Sequence, residues 1–548
     1  MISLMHKGVR SIMSTFSTTY DAENNLWYGP KVSPIYNPDQ NIGALILNIL
    51  HQRGSSIAQI SADSGIALTC QQLHNRTIVM AEYLKKCNLQ ENDYVGLVVN
   101  NSENVMAVAF ACYALGIPVC PLSPIMTSLD ICNIYEVVKP KLIFCDECNL
   151  KVVQEAVNAI KSNARIITVM EKVKGYECAT DIIMEGDYEA VDNFVPPYVS
   201  SDKILAIICS SGSTGTPKRI IKTHRDMINQ FFSGWKLPRY RPAVFFTYSP
   251  LFWISGFNGT IFAVLNYATN VITTELLVPA AEFVDIIQRY RVTYLTTLPF
   301  TMSNIIELKN LKPFETVECW MISGFAATKA LCEKFAPLLP NGEIWITYGL
   351  SETSIVSCNN TCDYSHIGFL NQNCVVKLID VNGNNVGPNE QGEILIKAEP
   401  KFSGYHLDPK KTEEAVPDGW FHTGDIAFFD DKCRLHYVDR KVEIMNYEGY
   451  YIIPHEMESL INEVDGVVSS SVVGYLEKNS INYIVHAFVV PDETKDIREN
   501  QITDHVHAKV IEQRQLRGGV HFVKSFPLGR TGKVDKIKLR EMAMKLSA

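Results

Sequence analysis

The sequence predicts an α/β protein: a large N-terminal part with two parallel-type sheet layers and helices, a small β-barrel after it, and a small α+β C-terminal domain. Three observations carry this. Strand-length apolar runs alternate with helix-length runs from about residue 94 to 347, the pattern of parallel sheets with helices packed on both faces. After about residue 365 short strands are joined by Asn-Gly and Asp-Asp turns, which is hairpin chemistry. Near residue 440 the texture changes again, and what remains, about 110 residues, is large enough to fold alone.

Taken in order, Tyr94 to Asn100 reads as a buried strand and Ser102 to Gly116 as a helix, with Ser102 as N-cap and Gly116 as C-cap. Ile117 to Pro121 and Lys141 to Cys145 are strands, Leu150 to Ile160 a helix and Arg165 to Met170 a strand. Ile204 to Cys209 is a strand that runs into a Gly-rich loop, and a helix follows from about His224. The alternation resumes with a strand at Asn270 to Thr274, a helix at Ala280 to Tyr290 and a strand at Val292 to Thr297. Strands at Val317 to Ser323 and Glu343 to Thr347 flank a helix at Thr328 to Leu339. The barrel-like part has Val375 to Val381 turning at Asn382-Gly383-Asn384 into Gly392 to Lys397, then Ile426 to Phe429 turning at Asp430-Asp431 into Arg434 to Val438. In the last part Pro454 opens an amphipathic helix to Val464. Strands at Val467 to Leu476 and Tyr483 to Val490, a helix at Ile502 to Gln513 and a strand at Val520 to Phe526 complete it.

Composition narrows the classes. Lys and Arg number 50 against 59 Asp and Glu, a formal charge of −9, with 47% hydrophobic and 20% charged residues in 548. That composition buries large cores and excludes disorder as the main state. The mild acidity argues against a general nucleic-acid binder, which needs a basic footprint. No apolar run approaches the roughly 18–20 residues of a membrane helix. The 15 cysteines are scattered, unlike a disulfide framework. Cys145-Asp-Glu-Cys148 has no second pair at zinc spacing, so ordinary thiols are the reading there. Asn75-Arg76-Thr77 and Asn258-Gly259-Thr260 match glycosylation acceptors but follow no clear secretory signal. Residues 1–20 hold Lys7, Arg10 and several hydroxyls, with no acid before Asp21. This suits a mitochondrial transit segment or a disordered tail, with Met13 an alternative start. The chain ends Lys545-Leu546-Ser547-Ala548, not the Ser-Lys-Leu peroxisomal address. The expectation is a cytoplasmic protein, with a mitochondrial alternative. The expected division is a tail over 1–20, an N-terminal domain over 21–440 and a C-terminal domain over 441–548.

The sharpest local signal is the loop Ser210, Ser211, Gly212, Ser213, Thr214, Gly215, Thr216, Pro217, Lys218. Small residues allow a tight turn with inward-facing amides. The hydroxyls add donors and Lys218 a compact positive charge. The combination suits a polyphosphate. It is not a Walker A loop, because two residues rather than four separate the glycines and Lys218 lies three beyond the second.

Ser210 to Lys218 resembles the signature of the adenylate-forming superfamily of acyl-CoA synthetases, aryl-CoA ligases, beetle luciferases and adenylation domains. Further segments match in the superfamily's order from about residue 40 to 540: Ser323-Gly324-Phe325-Ala326-Ala327, Thr347-Tyr348-Gly349-Leu350-Ser351-Glu352, Gly419 to Asp425, Val438-Asp439-Arg440 and Gly529 to Lys533. The wording around Asp425 and at Leu516 to Val520 is similar to the luciferase and coumarate-ligase branch. The resemblance implies a reaction in two halves. A carboxylate attacks the α-phosphate of Mg-ATP to give acyl-AMP and pyrophosphate; a thiol, usually coenzyme A, then displaces AMP. It implies that the Ser210–Lys218 loop holds the β- and γ-phosphates, that Tyr348 stacks on adenine, that Ser351 bonds phosphate and that Glu352 holds Mg²⁺. Asp425 would accept the ribose hydroxyls and Arg440 would make a second ribose or phosphate contact. On spacing alone, Asp425 is a solvated turn and Arg440 a surface charge. Lys533 resembles the mobile lysine of adenylation, carried by a C-terminal lid that swings about a hinge near Arg440 to Val442. The acyl pocket would be lined by Phe252, Trp253, Gly256, Phe257, Gly324, Phe325 and Ile355, whose aromatics suggest an apolar acid. Gly449, Tyr450 and Tyr451 would border the thiol tunnel.

Several positions depart from the pattern. Trp253 stands where ligases usually carry His, and indole donates one hydrogen bond but is never cationic. Val442 replaces a polar hinge residue, Asn446 and Glu448 replace lysines of the luciferase branch, Tyr451 replaces a Gln and Gln230 replaces an Arg of the luciferin pocket. These leave three readings: an acid–thiol ligase first, then a luciferase-type monooxygenase, opposed by Gln230 and Asn446, and a non-catalytic nucleotide binder. Loading onto a carrier protein is a fourth, without an appended carrier domain.

Overall fold

The computed structural model describes residues 17–33, 36–37, 39–90, 92–210, 217–232, 242–325, 327–399, 401–448, 450–476, 482–529 and 534–546. Among them, two large sheets form the body. The first has seven strands in the order 218–223, 204–210, 119–122, 95–98, 142–145, 165–168 and 177–178. Its interior ladders are parallel, as the βα alternation requires, and Lys218–Thr223 closes one edge antiparallel. The second has nine strands, in the order 369–370, 354–359, 343–350, 319–322, 294–297, 244–247, 269–272, 57–61 and 67–69. Its centre is parallel and both ends are antiparallel hairpins.

Between the sheets lies the main core. The helix Val105–Leu115 is buried on nearly every side, which explains why its sequence carries no polar face. Its C-cap Gly116 is left-handed at φ 67°, but its N-cap position is Asn104, whose side chain does not cap the helix and instead bonds Arg76 and Thr180. Ser102 is not the cap: it stays buried in the preceding turn, where its carbonyl accepts from Val105 N.

The small antiparallel unit has six strands, in the order 19–21, 26–28, 374–379, 392–398, 421–429 and 435–440. Two of these belong to an N-terminal hairpin. Thr19 and Tyr20, assigned above to a tail, pair with Tyr28 and Trp27. The reason is Trp27, which is fully buried and stacks at 4.5 Å on Phe429. Burying an indole contributes about 4–6 kcal/mol of transfer free energy, enough to dock a short hairpin.

The last part has a three-stranded sheet of Val467–Leu476, Tyr483–Pro491 and Gly519–Phe522 under the helices Pro454–Ile461, Glu499–His507 and Lys536–Leu546. It joins the body through the strand ending at Arg440, and the Asp439 carboxylate accepts from His455 N at 2.9 Å, capping the first helix of the small unit. Among the described residues no helix is long and apolar enough to cross a membrane.

Candidate active site

The hydroxyl-rich segment stands between two paired strands, where the sequence suggests one strand, a loop and then a helix. Ile204–Ser210 and Lys218–Thr223 pair antiparallel, with Ser210 opposite Lys218, and the helix begins only at His224. Pro217 leads into the return strand. Ser211, Gly212, Ser213, Thr214, Gly215 and Thr216 lie outside the described residues, as do Ala326, Gly449 and Lys533.

Lys218 starts that return strand and meets Glu352. Its ammonium is 3.8 Å from Glu352 Oε1 and 5.3 Å from the centre of the Tyr405 ring. Tyr405 Oη donates to the same Oε1 at 2.8 Å. This phenol was not singled out from the sequence. It arrives because the segment 404–406 runs along the return strand: Ile221 N donates to Gly404 O at 3.0 Å and His406 N to Arg219 O at 2.7 Å. Glu352 is thereby a buried carboxylate with a cation and a hydroxyl on one oxygen.

Ser351 and Glu352 occupy the turn between strands Glu343–Leu350 and Ser354–Asn359. Gly349 is required there, since a Cβ would sit 2.2 Å from Ser354 O. Ser354 follows with φ 61°, a left-handed conformation uncommon for a residue with a side chain.

A second cluster adjoins the first. Tyr348 Oη donates to Asp425 Oδ2 at 2.7 Å, and Arg440 Nε lies 3.3 Å from Asp425 Oδ1. Asp425 and Arg440 face each other across adjacent strands, so the antiparallel ladder sets their distance. Burial pushes the Asp425 carboxyl up, and the Arg440 charge and Tyr348 hydroxyl oppose that shift. The Tyr348 phenol is raised too, by burial first and then by the Asp425 charge, so it remains a donor. The first and second clusters share one strand turn, because Tyr348 and Glu352 are four residues apart.

The other sequence candidates divide. Ser323, Gly324 and Phe325 follow the strand Cys319–Ile322; Gly324 has φ 83° and Phe325 is exposed. Ala327 packs against the core of the nine-stranded sheet. Thr347 spends its hydroxyl on Ile322 O at 3.1 Å and is buried, so it ties two strands together instead of facing a ligand. Leu350 is the last residue of its strand. Phe252 and Trp253 pack ring against ring at 5.0 Å at the start of helix Ile254–Leu265. Gly256 lets that helix press on its own entry turn, since a Cβ would be 2.2 Å from both Pro250 O and Ser249 O. Phe257 has no exposed surface and lies edge-on to Tyr113 at 6.1 Å in the main core, which removes it from the pocket lining. Ile355 is half-buried beside Ser354. Tyr450 and Tyr451 are exposed on a two-stranded hairpin of the small unit.

Residues 49–406 match the family model described as AMP-binding enzyme, and residues 456–533 match its C-terminal domain. A luciferin 4-monooxygenase of Luciola mingrelica is 27% identical over 548 residues, covering 96% of this chain and 99% of that protein. A 4-coumarate–CoA ligase 1 of Solanum tuberosum is 26% identical, covering 83% and 85%. Among solved structures, the anthranilate CoA ligase AuaEII in complex with anthranoyl-AMP superposes with a TM-score of 0.84 at 21% identity over 94% of this chain and 99% of that one. The luciferase-like enzyme of the nonluminescent mealworm Zophobas morio gives 0.69 at 22% identity, over 75% and 98%.

Proposed function

The chain belongs to the AMP-binding enzyme family, and on that premise we propose that it is an ATP-dependent acid–thiol ligase, which joins an apolar carboxylic acid to coenzyme A through an acyl-adenylate. The observation that carries the reading is the convergence of Lys218, Tyr405 and Glu352 beside Tyr348, Asp425 and Arg440.

The obstacle in the first half-reaction is charge, because an anionic acid approaches a polyanion. The remedy is fixed positive charge and oriented donors. Lys218 and the 210–217 loop neutralise the β- and γ-phosphates in this reading, and Ser351 adds a hydroxyl. Asp425, kept in place by Tyr348 and Arg440, accepts from the ribose. Glu352 offers a hard carboxylate oxygen of the kind Mg²⁺ takes, and its hydrogen bond from Tyr405 fixes its orientation. Bound there, magnesium supplies charge neutralisation on the phosphates. The carboxylate oxygen of the acid bonds to the α-phosphorus and pyrophosphate leaves. Lys533 stabilises that crowded anion and then withdraws with the small domain. The thiol sulfur next attacks the acyl carbon, losing its proton, and AMP departs with the former acid oxygen. The aromatic pair Phe252 and Trp253 favours an apolar acid.

The test is acid-dependent exchange of pyrophosphate into ATP across a panel of carboxylic acids, with Lys533→Ala as control, followed by AMP release on adding coenzyme A. The reading requires exchange with at least one acid, its loss in the variant and thiol-dependent AMP release. Absence of exchange with every acid refutes it and favours a non-catalytic nucleotide binder, the reading that Trp253, Val442 and Asn446 motivate. A second activity, a luciferase-type monooxygenase, draws support from the luciferin 4-monooxygenase relatives. Gln230 and Asn446 weigh against it, and light emission with ATP and luciferin decides.

A further inference from the structure

Lys222 lies four residues beyond Lys218 on the strand Lys218–Thr223, and the two side chains share a strand face because strand side chains alternate. Lys218 is half-buried, but Lys222 is only 2% exposed. Buried ammonium groups are ordinarily paired with a carboxylate. Among the described residues no carboxylate makes a direct ion pair with Lys222, and the Asp226 and Glu352 charges act on it only from farther away. Its Nζ instead donates to the main-chain carbonyl of Glu352 at 3.2 Å and to Ser354 Oγ at 3.5 Å. Ser354 hands the interaction on, its hydroxyl donating to Gln230 Oε1 at 2.7 Å.

The residue thus held is the one with φ 61°, a backbone state that persists only where its surroundings enforce it. Glu352 is gripped at both ends by one strand and its neighbour: Lys218 and Tyr405 at the carboxylate, Lys222 at the carbonyl. Removing the rear grip frees the turn while leaving every front contact chemically intact.

We infer that Lys222 is a positioning residue for metal-nucleotide binding, its ammonium bracing the Ser351–Ser354 turn from behind so that the Glu352 carboxylate is presented to the magnesium nucleotide. This rests on the function proposed above. Lys222 never meets the ligand in this arrangement and acts only through the turn, so its loss falls mainly on the metal-dependent part of binding, through the Glu352 carboxylate, and much less on the single Ser351 hydroxyl that the same turn carries.

The experiment is calorimetric titration of the full chain with α,β-methylene-ATP, once with magnesium and once with EDTA, on wild type, Lys222→Met and Ser354→Ala. Lys222→Met removes two hydrogen bonds to the turn, and we expect about fivefold or greater weakening with magnesium and less than about twofold with EDTA. Equal weakening in both arms marks a merely structural lysine and overturns the inference, as does no weakening. If Lys222→Met does not fold, Ser354→Ala decides: a loss confined to the magnesium arm supports the inference and unchanged affinity in that arm overturns it. A wild type that binds no nucleotide removes the proposed function and this inference together. A wild type that binds, with variants that match it, removes the inference alone.

Discussion

Tyr405→Phe is the sharpest test of how the front of the site works. The substitution deletes one oxygen and keeps the ring, so the aromatic surface beneath Lys218 survives. What disappears is the hydrogen bond of 2.8 Å to Glu352 Oε1. Burial, and after it the Glu352 charge, raises the Tyr405 phenol well above its ordinary range, so in the wild type it donates at every assay pH. A hydrogen bond to an ionised group contributes about 1.5–3 kcal/mol. Lys218, at 3.8 Å and on the same oxygen, keeps part of the carboxylate's orientation but supplies no bond of comparable geometry. At 1.4 kcal/mol per factor of ten, the expected loss is about 10- to 150-fold in kcat/KM for acid-dependent pyrophosphate exchange. The assay is run beside thermal unfolding, because a loss of fold would mimic a loss of rate. A folded Tyr405→Phe protein within about twofold of wild type would refute the argument that this bond orients Glu352 for the reaction.

Two further outcomes concern the scaffold of the site. His224 is fully buried at the start of its helix, its Nδ1 accepting from Ile42 N at 3.3 Å, and burial, with Lys203 adding to it, pushes its pKa down to about 3. The unfolded chain takes up this proton below its ordinary pKa of about 6.5 while the folded chain refuses it, so stability drops as pH falls through that window. Between pH 7.5 and 5 wild type should lose about 2 kcal/mol more than His224→Gln; urea unfolding at the two pH values measures this, and equal losses would count against it. Gly256→Ala places a methyl 2.2 Å from two backbone oxygens. The helix start must move, at a cost of about 1–3 kcal/mol. Lowered thermal stability together with a raised KM for the acid is expected, and an unchanged pair of values would show that Gly256 is not what seats Trp253.

Legibility in the sequence followed the range of the interactions. Cys145 ends its strand where expected because a buried parallel strand is a short apolar run bounded by turn residues. The strand Val467–Leu476 coincides with its expected limits for a similar reason, since its run of apolar and small residues gives way in the sequence to Glu477-Lys478-Asn479. The helix expected over Ser102 to Gly116 begins three residues late, because Ser102 is used in the buried turn before it. The strand at Lys218 was unreadable locally. Its strand character comes from pairing with residues 204–210 and from the 404–406 segment lying alongside. Phe257 and Thr347 illustrate the converse. Their residue types suit a pocket or a ligand, yet three-dimensional packing gives one to the core and the other to a neighbouring strand.

Short-range chemistry in the linear chain therefore determined which groups are available: the hydroxyl-rich run, the lysine that ends it, the carboxylate after Tyr348-Gly349-Leu350-Ser351, and the order in which these occur. Only the tertiary structure decided which of them meet. Tyr405 reaches Glu352 across 53 positions and Lys222 reaches the same residue across 130, and both encounters arise from strand pairing and burial between segments with no local signal for each other. Hydrogen bonds of this kind depend on a few tenths of an ångström in the folded core, a precision that side-chain identity supplies only once the sheets have closed around it.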